Sequence, residues 1–152
     1  MGLLSWLIAL PFLTALAIIA TPARRAGWIR WIAAGGTGLH LILTAIMTCR
    51  FWQAACPDIE AMKSAQFMKL YFVEQAPWFK SLGIQYFVGV DGISMAMVIL
   101  TSIIIFTGVM ASWNVKERGK EFFALLLTLV TGVFGVFLSF DMFLFFVFYE
   151  VA

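Results

Sequence analysis

Glu150 is the residue whose type and position point most directly to chemistry. It sits in an apolar run, Met142 to Ala152, that follows Asp141. A helix starting at Asp141 rises about 1.5 Å per residue and carries Glu150 roughly 13 Å inward, near the middle of a hydrocarbon core about 30 Å thick. Its neighbours one and two helical turns back are Val147, Phe146 and Phe143, none of which can pair with a carboxylate. A lone ionised carboxylate at that depth is costly. Glu150 must therefore bind a proton near neutral pH or meet a cation from another helix, and a group that alternates between those states is a proton-transfer site. The plainer alternative is a carboxylate neutralised for good by a structural partner. Every lysine lies outside the apolar runs, so a lysine partner must come from chain beyond Ala152 or from another subunit.

His40 is the other ionisable group deep within an apolar run, and it follows Gly35, Gly36 and Gly38. An imidazole titrates in the range useful to a proton carrier. Equally, the glycines permit close helix packing, and the ring then serves as a hydrogen-bonding partner for a neighbouring helix. Asp91 and Asp141 each precede an apolar run, where a carboxylate accepts from the exposed first-turn amides of a helix. Phe143, Phe145, Phe146 and Phe148 read as packing or lipid-facing side chains rather than a cofactor box. Cys49 and Cys56 fall at one membrane edge, where a disulfide is geometrically conceivable, but two cysteines specify nothing further and are taken as unpaired thiols. There is no CxxC, no GxGxxG after a strand and a single histidine, so no haem, iron–sulfur, flavin or nicotinamide signature is present. The chain is expected to bind no cofactor and to do no redox chemistry itself.

The elements that position these residues follow from composition. The chain is 63% hydrophobic and 12% charged, whereas soluble domains carry about 25% charged residues. The ten basic against eight acidic residues leave too small an excess to suggest a nucleic-acid partner. Runs long enough to span a bilayer place transmembrane helices at 3–21, 27–49, 92–113 and 121–140, with the start of a fifth, cut short, at 141–152. A helix ending at mid-depth implies a truncated chain or cover from another chain. Met1 to Ala23 has its basic residues after the apolar run rather than before, so it reads as a retained span and not a cleaved signal. The 50–90 connection holds two aromatic, β-favouring runs, Lys69 to Val73 and Ile84 to Val88, separated by Pro77 and Gly83, which predict a hairpin. Asp58 to Ser64 suits a short helix. The fold class is thus an all-α membrane protein, a polytopic transmembrane helix bundle with a small external β-hairpin.

Orientation follows from basic residues in short connections. Arg24, Arg25 and Arg30 mark one connection, and Lys116, Arg118 and Lys120 another, as cytoplasmic. Arg50, Lys63, Lys69 and Lys80 are spread thinly through 50–90, and Asp141 stands alone in the last connection. These two face outward, with the N-terminus. Trp28, Trp31, Trp52, Trp78 and Trp113 lie near span ends, as interfacial anchoring requires.

Two stretches carry a family resemblance. Residues 75–95, Gln-Ala-Pro-Trp-Phe-Lys-Ser-Leu-Gly-Ile-Gln-Tyr-Phe-Val-Gly-Val-Asp-Gly-Ile-Ser-Met, resemble the outer hairpin and start of the third helix of the M-type (chain 4) antiporter-like subunit of NADH-quinone oxidoreductase, respiratory complex I. Residues 136–151, Val-Phe-Leu-Ser-Phe-Asp-Met-Phe-Leu-Phe-Phe-Val-Phe-Tyr-Glu-Val, resemble its fifth helix, and Glu150 occupies the position of the glutamate that family uses in proton transfer. Val90-Asp-Gly-Ile-Ser is shared with the L-type subunit and the multisubunit cation/proton antiporters, whereas Ser139-Phe-Asp-Met-Phe-Leu-Phe-Phe favours the M type. The likeness covers nearly the whole chain and is weakest over 50–68. It implies a proton-translocating subunit of about fourteen helices in the cytoplasmic membrane, with a later lysine paired to Glu150 and a central lysine/histidine water chain. Other membrane-arm subunits and the lipid bilayer are its partners, and NADH, flavin, iron–sulfur clusters and quinone belong to other parts of the complex. His40 matches no functional residue of the family. Two alternatives stand beside this reading: a cation/proton antiporter without a redox partner, and a purely structural membrane-arm module in which Glu150 is a fixed ion-pair partner.

Overall fold

A computed structural model describes residues 2–22, 26–55, 70–79, 83–115 and 118–152. Its order is α1 (Leu3–Ala20), α2 (Ala26–Ala55), β1 (Tyr71–Phe79), β2 (Ile84–Val90), α3 (Gly92–Ala111), a 3-10 turn (Ser112–Asn114), α4 (Gly119–Leu138) and α5 (Met142–Val151). Four helices, α1, α2, α3 extended through its 3-10 turn, and α4, are long and apolar enough to cross a membrane. The shorter α5 is equally apolar. Cys56, Arg24, Arg25, Lys116, the Asp58 to Ser64 segment and the start of the Lys69 run lie outside the described residues. Cys49 is free and exposed.

The packing order is set by α4, which touches all four other helices: α1 and α5 most extensively, α3 and α2 less so. Helix α2 also packs against both α1 and α3. The buried core runs along these contacts: Leu4, Leu7 and Ile18 from α1, Phe123, Leu127 and Phe134 from α4, with Val98 and Val109 from α3. Small residues set how closely the helices approach. A Cβ on Gly36 would stand 2.6 Å from the Thr14 hydroxyl, so α1 and α2 touch there; Gly35 has open space around it. At Gly135 the aromatic ring of Phe148 occupies the place a side chain would fill, seating α5 on α4.

The strands form one antiparallel hairpin, with Gln75 opposite Phe87 and Ala76 opposite Tyr86. Gly83 takes the positive φ of 69° that the connection requires. Phe72 also has a positive φ, 54°, where the register slips between Tyr71 and Glu74. The hairpin lies across one end of the bundle. The Phe51 ring at the end of α2 meets Tyr71 edge-on at 5.1 Å. After α4 the Phe140 amide donates to the Phe87 carbonyl at 2.9 Å, and β2 runs straight into α3. At the opposite end, Arg30 donates to the Val115 carbonyl at 3.1 Å and Trp31 meets Trp113 edge-on at 5.4 Å. The five helices thus alternate in direction between a hairpin end and an Arg30 end.

Candidate functional site

Helix α5 begins on a side-chain cap. Asp141 Oδ1 accepts from the Phe143 amide at 2.9 Å and the Leu144 amide at 3.1 Å, while Oδ2 accepts from the Gln85 amide of β2 at 3.3 Å. The Leu144 amide, with those of Gln85 and Phe143, holds the Asp141 carboxyl below the usual aspartate range. The cap therefore fixes both the first turn of α5 and its junction with the hairpin. Asp91 acts in the same way for α3, accepting from the Ser94 amide at 2.6 Å.

From that cap the inner face of α5 is settled by its contact with α4. Leu144 is buried, and Phe148 covers Gly135. A side chain on Gly132 would collide with the end of α5, 2.6 Å from the Ala152 amide nitrogen and 2.9 Å from the Phe148 carbonyl. Phe143, Phe146 and Glu150 take the opposite face and are exposed on this chain. Phe145 stacks with Tyr149 along the flank at 6.2 Å. Glu150 is thus held on a firmly seated helix, pointing away from the four long helices. The one ion pair among the described residues joins Arg118 to Glu121 far from it, at 3.9 Å.

His40 is placed elsewhere, fully enclosed between α1, α2, α3 and α4. Its Nε2 lies 3.0 Å from the Leu7 carbonyl oxygen of α1, and its Nδ1 is 3.5 Å from the Ser102 hydroxyl of α3. Thr44 and Ser102 share a hydroxyl–hydroxyl bond of 2.8 Å, and the Phe134 ring of α4 covers the imidazole at 4.4 Å. The two ionisable residues singled out in the sequence are therefore not brought together. Glu150 lies on the outer face of α5, while His40 occupies the bundle centre.

A third acid, which no sequence pattern singles out, organises the hairpin end. Glu74 of β1 accepts from the Gly2 amide at 2.8 Å, the Leu4 amide at 2.8 Å, the Ser5 amide at 3.3 Å and the Ser5 hydroxyl at 2.7 Å. Because that hydroxyl spends its proton on the carboxylate, Tyr86 donates to Ser5 Oγ at 3.0 Å. Burial opposes the charge on Glu74, but the Ser5 hydroxyl and the Gly2, Leu4 and Ser5 amides outweigh it and hold the carboxyl below its ordinary 4.5. Burial likewise pushes the Tyr86 phenol up. A Cβ on Gly2 would strike the carboxylate, so a side chain there would push Glu74 out of this arrangement. The only signal in the sequence is a lone acid inside an aromatic strand. Beneath the clasp an open cavity of about 770 Å³ runs between α1 and α5, from Ser5 and Tyr86 to Phe12, Thr131 and Val151.

Residues 37–140 match the family model described as NADH-ubiquinone oxidoreductase chain 4, amino terminus. The chain is 37% identical over 150 residues to NADH-quinone oxidoreductase subunit M of Buchnera aphidicola, covering 98% of this chain and 29% of that protein. It is 35% identical to a NAD(P)H-quinone oxidoreductase chain 4 of a Picosynechococcus species, covering 97% of this chain and 25% of the relative. A chain 4 protein of a Nostoc species is 32% identical over 148 residues, covering 97% and 26%. The chain therefore spans about a quarter of the length of these curated relatives.

Proposed function

We propose, from the premise that this chain belongs to the NADH-ubiquinone oxidoreductase chain 4 family, that it supplies the first five helices of a proton-translocating membrane subunit and that Glu150 is its proton carrier. The carrying observation is the position of that carboxylate: nine residues past the Asp141 cap, on a helix locked to α4 at Gly132 and Gly135, on the face that α4 leaves free. A carboxylate near mid-bilayer on such a face requires a partner group opposite it. A cation brought to within about 4–6 Å favours the carboxylate and expels its proton; withdrawing the cation restores the neutral acid. Any conformational change that sets that distance therefore drives proton uptake and release.

In this reading quinone reduction takes place in other subunits, and the present chain contributes proton movement without a redox centre of its own. Its partners are the neighbouring membrane-arm subunits and the lipid around α2 and α3, whose outward side chains, Ile42, Ile46, Leu100 and Ile104 among them, are apolar. The protein resides in the cell's inner membrane with the hairpin and N-terminus outside. That direction is supported by the basic residues of the two short connections, Arg24, Arg25 and Arg30 in one and Lys116, Arg118 and Lys120 in the other.

The test is Glu150→Gln in the full-length protein within its assembled complex. Glutamine keeps the shape and removes the titration, so proton pumping per electron transferred is expected to fall at least tenfold while assembly is retained. Unchanged pumping in a stably assembled complex would overturn the carrier role.

A further inference from the structure

Pro11 stands in the middle of α1, four residues after Leu7. A proline has no N–H to give the carbonyl one turn back, and its ring presses that carbonyl aside. Inside a bilayer no water is available to compensate, so a neighbouring helix must supply the donor. His40 Nε2 of α2 lies 3.0 Å from that same Leu7 oxygen, and both residues are buried. We infer that His40 is a positioning residue that stands in for the amide Pro11 lacks, latching α1 to α2, rather than a group that passes protons.

The geometry around the ring supports this. A carbonyl oxygen only accepts, so Nε2 carries the ring proton and Nδ1 of the neutral imidazole is left as an acceptor. The Ser102 hydroxyl faces Nδ1 at 3.5 Å, while donating at 2.9 Å to the Val98 carbonyl of its own helix and meeting Thr44 at 2.8 Å. The proton side of the ring thus ends on a fixed backbone oxygen, which has no further proton to exchange. The gap beside the ring, between Pro11, Thr37, Ile105 and Leu127, leaves no room for a water molecule. A carrier needs mobile proton partners on both sides; this ring has none on its donor side.

The latch predicts coupling between two residues that are distant in sequence. Pro11→Ala restores an N–H to the Leu7 carbonyl and makes the imidazole redundant. In the assembled complex, His40→Leu is expected to lower the unfolding temperature by several degrees, and to lower it far less in a Pro11→Ala background. An equal loss in both backgrounds overturns the latch. Where His40→Leu alone fails to assemble, Pro11→Ala is expected to restore assembly, and no restoration overturns the proposal. His40→Gln, which keeps an N–H donor, is expected to retain both stability and pumping; abolished pumping in a stably assembled His40→Gln complex would reinstate a proton-carrying role. Nitrogen-15 NMR of the labelled ring gives an independent readout: the neutral tautomer protonated at Nε2 is expected, and one protonated at Nδ1 overturns the assignment.

Discussion

Glu74 illustrates how much a single side chain does without touching Glu150. Its carboxylate satisfies first-turn amides that α1 would otherwise leave without partners, because Gly2 offers no side-chain cap. Glu74→Gln keeps the outline but replaces charge-assisted bonds with weaker neutral ones and brings an N–H group against amide donors. The variant is expected to unfold several degrees below the wild type at pH 7. The sign of the pH dependence follows from the lowered folded-state affinity of Glu74 for its proton. Its stabilisation is complete above the ordinary value of 4.5 and is lost as pH falls through the folded value below that. Thermal melts of wild type and Glu74→Gln should therefore draw together as pH is taken below 4.5, while Tyr86, which titrates far above this window, contributes nothing to the change. A constant gap down to about pH 3 would assign the loss to shape instead. Asp91 and Asp141 were legible in the sequence because a cap reaches its own helix two or three residues ahead. Glu74 was not, since its partners are some seventy residues away; for His40 the sequence offered a hydrogen bond to a neighbouring helix as one of two readings, but not which atom it meets, because the Leu7 carbonyl lies on another helix 33 residues away.

At the scale of elements, the α4–α5 seam decides where Glu150 stands. Gly132→Val introduces a side chain whose Cβ would lie only 2.6 Å from the Ala152 amide nitrogen at the end of α5, an overpacking that costs about 1–3 kcal/mol. The strain is relieved by displacing α5, so pumping is expected to drop several-fold together with stability. Gly108→Val in α3, where nothing lies within 4 Å, should leave pumping and unfolding temperature unchanged, and a comparable loss there would undo the seam argument. The apolar runs announced the helices because the bilayer demands about 20 such residues, and the aromatic, β-favouring stretches announced the hairpin. What hydropathy marks, however, is the membrane boundary rather than the end of a helix. Helix α2 continues from Cys49 to Ala55, carrying Phe51 into contact with Tyr71. The register slip at Phe72, next to the strand's attachment to α1 through Glu74, has no counterpart in any periodicity.

For the molecule as a whole, the alternation of the helices places Ala76 of the hairpin and Asn114 at opposite ends, both exposed. Cysteines introduced at these two positions in a cysteine-free full-length protein are expected to react with a membrane-impermeant thiol reagent in intact cells at Ala76 and not at Asn114. Labelling at Asn114 alone would invert the orientation. The basic connections supply the direction, but only the folded arrangement shows that one small hairpin joins the beginnings of α1, α3 and α5 to the ends of α2 and α4. That clasp also sets a timetable for biogenesis. The bond from Gly2 to Glu74 spans 72 residues, so α1 and α2 have both been synthesised before the carboxylate that caps α1 exists. During that interval the first-turn amides of α1 depend on interfacial water, and its Leu7 carbonyl gains a donor only when α2 arrives. The N-terminal pair is therefore a provisional assembly, completed only once the hairpin has been made and has closed over that end of the bundle.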